Sequence, residues 1–234
     1  MSERVWDRFL TEQDRAHAAV SSFRTLRLGQ RPAVILVDLY RAVYGDRPAP
    51  LLEAIETWPY SCGLAGWEAL PPIQHLLRVA RERGLPVVHT TGMAIGAPKA
   101  DSVDPNGQGG GYEIVEPVAP LAGELVIRKA APSAFWGTPL IAHLQQLGVD
   151  SLIVAGESTS GCVRATVVDA RTYGYAVAIP EQCVFDRTEA SHAMSLFDLA
   201  RKYAAVAPLD AVLTELDVRI GSSSSATDTA ARRP

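Results

Sequence analysis

Six short apolar runs recur along the chain, at 33–39, 85–90, 125–127, 151–155, 176–180 and 203–206. Each is too short for a typical helix and is rich in the aliphatic residues of buried strands. Segments with apolar residues at helical spacing lie between and after them, at 68–83, 138–147, 161–173, 191–202 and from beyond 206 through Leu216. The segment 68–83 puts Ile73, Leu76, Leu77 and Ala80 on one face and stops at Gly84, a helix terminator. Strands alternating with helices in this way predict an α/β fold, a doubly wound, mostly parallel six-stranded sheet with helices on both faces.

The same pattern divides the chain. Residues 1–28 interleave charges with Val5, Trp6, Phe9, Leu10, Ala16, Val20 and Phe23, predicting an N-terminal helical arm. Whether that arm lies on its own domain or on a neighbouring subunit is left open by the sequence. One domain follows over 29–220, and the low-complexity tail 221–234, opening with a glycine and four serines, is expected to be disordered. The stretch 58–63 reads as a loop or lid. The insertion 92–111 reads as a flap near the active site or a plain surface loop; its glycines match neither G-x-G-x-x-G nor G-x-x-x-x-G-K-[ST], which argues against a nucleotide site.

Composition narrows the function. Apolar residues at 47% and charged residues at 21% suit a soluble globular protein. A formal charge of −4 with no basic stripe argues against a nucleic-acid partner. No apolar run reaches the roughly 20 residues that span a bilayer, and the first residues carry no signal-peptide core, so a cytoplasmic location is expected. Cys62, Cys162 and Cys183 form no C-x-x-C pair, consistent with reduced thiols.

Cys162 stands where the run 151–155 passes through small and hydroxyl residues into a helical segment. In the first turn of a helix, unpaired N–H groups and the macrodipole would favour thiolate over thiol. Taken alone, a small buried cysteine at a strand–helix corner is the commoner reading. Asp38 and Lys129 each end a predicted strand, on the side where doubly wound sheets bind ligands. An Asp capping a loop and a solvated lysine are the competing readings of those two positions.

The motif G-E-S-T-S-G-C-V-R-A-T-V-V-D-A at 156–170 resembles the cysteine-hydrolase family that includes isochorismatase and nicotinamidase. Two further segments match it, R-P-A-V-I-L-V-D at 31–38 and G-E-L-V-I-R-K at 123–129, the latter followed by S-A-F-W-G-T at 133–138. The resemblance, running from about 29 to about 206, implies a catalytic Asp38, Lys129 and Cys162. It also implies an oxyanion hole made of the Ser158 and Cys162 amides beside a cis Glu157–Ser158 peptide. Glu157 departs from the small apolar or hydroxyl residue expected there. Within the family the likeness is to amidases acting on N-carbamoyl amino acids such as N-carbamoylsarcosine, with maleamate or another short amide as the alternative, and to homo-oligomers, dimeric or tetrameric. Arg187 matches the position that binds the substrate carboxylate, although an ion pair with a neighbouring acid competes for that residue. Trp136, Tyr40 and Phe135 are candidates for the pocket wall, and Thr159 is a further candidate for substrate binding.

No cofactor or catalytic metal is expected. His17, His75, His89, His143 and His192 are scattered with no H-x-x-x-H, and His89 reads as a satisfied core or rim residue. Gly156-Glu157-Ser158-Thr159-Ser160 fails G-x-S-x-G at its fifth position, which argues against a serine hydrolase. A non-catalytic binding or assembly protein on this scaffold is the reading from another class.

Overall fold

The computed structural model describes residues 4–92 and 111–230, with side chains through Arg219. Most of the insertion read as a flap therefore lies outside the described residues. The first half of the chain contributes α1 (Glu12–Val20), β1 (Pro32–Val37), α2 (Arg41–Tyr44), α3 (Leu51–Thr57), α4 (Leu64–Glu82), β2 (Val87–Gly92) and β3 (Leu125–Lys129). The second contributes α5 (Leu140–Gln146), β4 (Ser151–Glu157), α6 (Arg164–Thr172), β5 (Ala176–Pro180), β6 (Val184–Phe185), α7 (Glu189–Lys202), β7 (Ala205–Ala207) and α8 (Leu209–Ala230).

The strands form one sheet in the order β3-β2-β1-β4-β5-β7, all pairings parallel, with β6 beside β4. The sheet thus has seven strands, one more than the sequence predicts. The addition is β6, only 2 residues long, too short to leave a periodic signal. Alternation along each strand sorts its residues between two cores. Ile35, Val37, Leu152 and Val154 face α5, α6 and α7, where Leu144, Val167 and Leu196 pack. Val34, Leu36, Ile153 and Ala155 face α4 and α8, where Ile73, Leu76 and Val212 pack.

Several local features differ from the sequence reading. Helix α4 begins at Leu64 and carries Pro71 and Pro72 within it. The stretch 58–63 is pinned: Trp58 is buried and donates through Nε1 to Asp46 (3.1 Å), while Ser61 and Cys62 are buried. The described part of the N-terminal arm lies on its own domain, Trp6 stacking on Phe23 and meeting Phe197 of α7, with ring centroids 6.2 Å apart in both contacts. The backbone of α8 continues to Ala230, past Gly221, where composition predicts that order ends.

His89, buried on β2, meets Glu124 through Nε2 at 2.8 Å; its Nδ1 has no partner among the described residues. Arg81 grips Glu124 with two bonds of 2.8 Å. Burial would raise the Glu124 carboxyl, but the bonds from Arg81, the Leu121 amide and His89 outweigh it and hold it at about 2. Burial also holds His89 below the ordinary histidine value. Both groups bind protons more readily unfolded, so both withdraw stability as pH falls, His89 first and Glu124 from 4.5 toward about 2. Glu124→Gln should lower the urea midpoint at neutral pH, and between pH 4.5 and about 2 its midpoint should fall less than that of the unaltered protein.

Candidate active site

The winding of the chain reverses between β1 and β4, because β2 and β3 are added on one side and β5 and β7 on the other. At such a switch point the loops leaving the strand ends part and open a crevice. Asp38 follows β1, Lys129 ends β3 and Cys162 follows β4, so all three reach that crevice. Lys129 Nζ lies 2.6 Å from Asp38 Oδ2 and 3.3 Å from Cys162 Sγ. The three residues that the sequence singles out therefore meet.

Local structure holds each in place. Asp38 is the only non-glycine residue with positive φ (56°) among the described residues, a left-handed turn that swings its carboxylate off the strand axis. Thr90 of β2 donates to Asp38 Oδ1 (2.8 Å), and the Asp38 amide approaches the same hydroxyl at 3.1 Å. Thr90 escaped the sequence reading because a threonine near a strand end carries no signal of its own. Lys129 Nζ also donates to the Ala131 carbonyl (3.2 Å).

The turn that carries Cys162 is built differently from the expected helix start. The Glu157–Ser158 peptide is cis, and Thr159–Val163 forms a single π-helical turn before α6. The Ser158 carbonyl accepts from the Gly161 and Val163 amides at 3.0 and 3.1 Å. A Cβ on Gly161 would sit 2.4 Å from Ser158 Oγ, so a larger residue before Cys162 would force the Ser158 hydroxyl to turn away. Asp186 accepts from the Ser160 amide (2.7 Å).

Burial pushes the Cys162 thiol up to about 12, Asp38 adds to the rise, and Lys129 opposes it without prevailing. This corrects the expectation of a resting thiolate: the neighbouring anion and the loss of water outweigh the cation. Lys129 stays an ammonium, since Asp38 and Cys162 together offset its burial.

The candidates for the pocket wall separate. Tyr40 is half-buried, its ring edge-on to Tyr112 at 5.3 Å and its hydroxyl pushed up by burial and by Asp38. Trp136 is 68% exposed. Phe135 is buried against Tyr173 and Tyr175 and belongs to the hydrophobic core, so the structure removes it from the pocket wall. Thr159 is also removed as a candidate: its hydroxyl bonds the Phe185 carbonyl (3.1 Å) and His192 Nδ1 (2.8 Å), which ties the turn to β6 and α7. Arg187 faces Glu157 at 3.4 Å and donates to the Tyr60 carbonyl. No group of three or more His, Cys, Asp or Glu able to hold a metal ion occurs among the described residues. No helix among them is long and apolar enough to cross a membrane.

The family model described as the isochorismatase domain matches residues 33–211. A maleamate amidohydrolase of Pseudomonas putida is 35% identical over 188 residues, covering 76% of this chain and 83% of its own length. An N-carbamoylsarcosine amidase of an Arthrobacter species is 33% identical over 208 residues, covering 83% of this chain and 74% of its own. A cysteine hydrolase from Pseudomonas syringae superposes with a TM-score of 0.72 over 86% of this chain and 99% of its own, at 20% identity, a likeness of fold.

Two substitutions test the electrostatics. Asp38→Asn removes the anion that raises the thiol, so iodoacetamide should label Cys162 faster at neutral pH, by about tenfold for each unit its pKa falls. Peptide mass spectrometry assigns the label, since Cys62 and Cys183 are buried. Lys129→Met leaves Asp38 buried without its cation and should cost about 3–5 kcal/mol in urea unfolding.

Proposed function

The chain belongs to the isochorismatase family and is an amidohydrolase of that family, and we propose that it uses Cys162 to hydrolyse a linear C–N bond with release of ammonia, acting on an N-carbamoyl amino acid such as N-carbamoylsarcosine. The observation that carries this reading is the position of Lys129 Nζ, 2.6 Å from Asp38 and 3.3 Å from Cys162.

With a thiol raised to about 12, attack has to be coupled to proton removal. Asp38 takes the thiol proton as Cys162 Sγ bonds to the substrate carbonyl carbon, and the carbonyl π pair moves to oxygen. The Ser158 and Cys162 amides donate to that oxyanion, which gathers charge only in the transition state and so earns the stabilisation selectively. Asp38 passes its proton to the departing nitrogen, the C–N bond breaks and ammonia leaves. It then takes a proton from water as the water oxygen attacks the acyl carbon, and it returns that proton to Cys162 Sγ as the C–S bond breaks, restoring the thiol and the carboxylate. Throughout, Lys129 keeps its charge beside both groups and stabilises the negative charge that develops on sulfur as its proton leaves.

Maleamate is the second reading, favoured by the Pseudomonas putida relative. Both substrates carry a carboxylate, for which the planar fork of Arg187 is suited. An ammonia-release assay on N-carbamoylsarcosine, maleamate and nicotinamide separates them. N-carbamoylsarcosine should be turned over fastest, and Cys162→Ala should lower the rate by about 10⁴-fold or more with the fold intact. A binding or assembly protein would release nothing from any of the three, before or after alkylation.

A further inference from the structure

Glu157 is the residue that fits least well with the rest of the site. It ends β4, and the register Val37↔Gly156 makes Asp38 and Glu157 the next positions on two adjoining parallel strands. On its other side Glu157 pairs with Phe185 of β6, with Arg187 two residues beyond. Its side chain is only 5% exposed, yet its ion pair with Arg187 is long at 3.4 Å, and Arg187 gives another nitrogen to the Tyr60 carbonyl. A buried carboxylate held mainly by one long ion pair is poorly compensated for the loss of water.

The groups around it make the balance worse. Asp38 at the end of β1 and Asp186 after β6 are like charges, while Lys129 and Arg187 are the cations that oppose them. Tyr40, Tyr44 of α2, Cys62 before α4 and Cys162 also lie within its field. Burial, offset in part by Arg187, sets the Glu157 carboxyl at about 7. Arg187 is 30% exposed, so a ligand can reach it.

We propose that Glu157 is a specificity-determining residue: it is the resident partner of Arg187, and a substrate carboxylate takes its place while Glu157 accepts one proton from solvent. This rests on Arg187 as the carboxylate-binding group in the function proposed above. A bound carboxylate places a further negative charge beside Glu157, which favours its neutral form. Carboxylate binding then consumes a proton wherever Glu157 is ionised in the free protein, and affinity falls as pH rises above about 7. An uncharged analogue gains nothing from Arg187 and draws no proton.

Calorimetry on Cys162→Ala, which cannot form the acyl-enzyme, reads this without turnover. N-carbamoylsarcosine and its uncharged methylamide are titrated into that variant and into the double variant with Glu157→Gln, at pH 6 to 8.5, in buffers of different ionisation heat. For the carboxylate probe and the single variant we expect uptake approaching one proton at about pH 8, and affinity falling by up to about tenfold per pH unit above about 7. The methylamide should show neither effect. In the double variant the carboxylate affinity should be flat with pH. A pH-independent affinity in the single variant, the same proton uptake in the double variant, the same uptake with the methylamide, or no carboxylate binding would each overturn the inference. Failure of the amidase reading is seen separately, as absence of ammonia release by the unaltered protein.

Discussion

A pair of opposite charges taken out of water at one edge of an apolar sheet, Asp38 with Lys129, constrains everything around it. Each ion costs several kcal/mol to bury, and mutual attraction recovers this only when geometry is close and the remaining polar valences are met. Both conditions hold. The ions are 2.6 Å apart, Thr90 occupies the free Asp38 oxygen, and the Ala131 carbonyl takes another ammonium proton. The thiol is the third member, and it remains protonated because burial, reinforced by the Asp38 carboxylate, outweighs the pull of Lys129.

That pair dictates where backbone may go. Neighbouring strands lie about 4.8 Å apart, so Lys129 on β3 is about two such spacings from β1, within reach of a side chain as long as lysine bending over the end of β2. There β2 ends in Gly92, register partner of Lys129, where a Cβ would fall 2.4 Å from the Tyr112 ring. On the other side β4 must approach β1 closely: a Cβ on Gly156 would stand 2.0 Å from the Val37 carbonyl oxygen. Glycine at 156 therefore brings the turn that carries Cys162 up against Asp38.

Much of this can be read in the sequence, because a doubly wound sheet writes itself in alternating patterns and because strand ends converge. The six longer strands, the helices α4 to α7, and the meeting of Asp38, Lys129 and Cys162 belong to that legible part. What escaped depends on neighbours distant in sequence. The state of the Cys162 thiol follows from its burial and from Asp38, far away in the chain. Phe135 and Thr159 lie beside matched motifs, yet one fills the core and the other ties down a turn, and motif position does not reveal which way a side chain points. Arg187 could be assigned an acidic partner in general, but its facing Glu157 required the register of β4 with β6.

The arm at the start of the described chain bears on α7, which packs against the turn that carries Cys162. Trp6 and Phe23 clasp Phe197 on α7, and Arg4 is fastened to the Val206 carbonyl at 2.8 Å. The same helix carries His192, whose ring braces Thr159 three residues ahead of the sulfur. The arm thus buttresses the helix on which the turn before Cys162 leans, so the position of that sulfur is fixed in part by residues at the opposite extreme of the sequence.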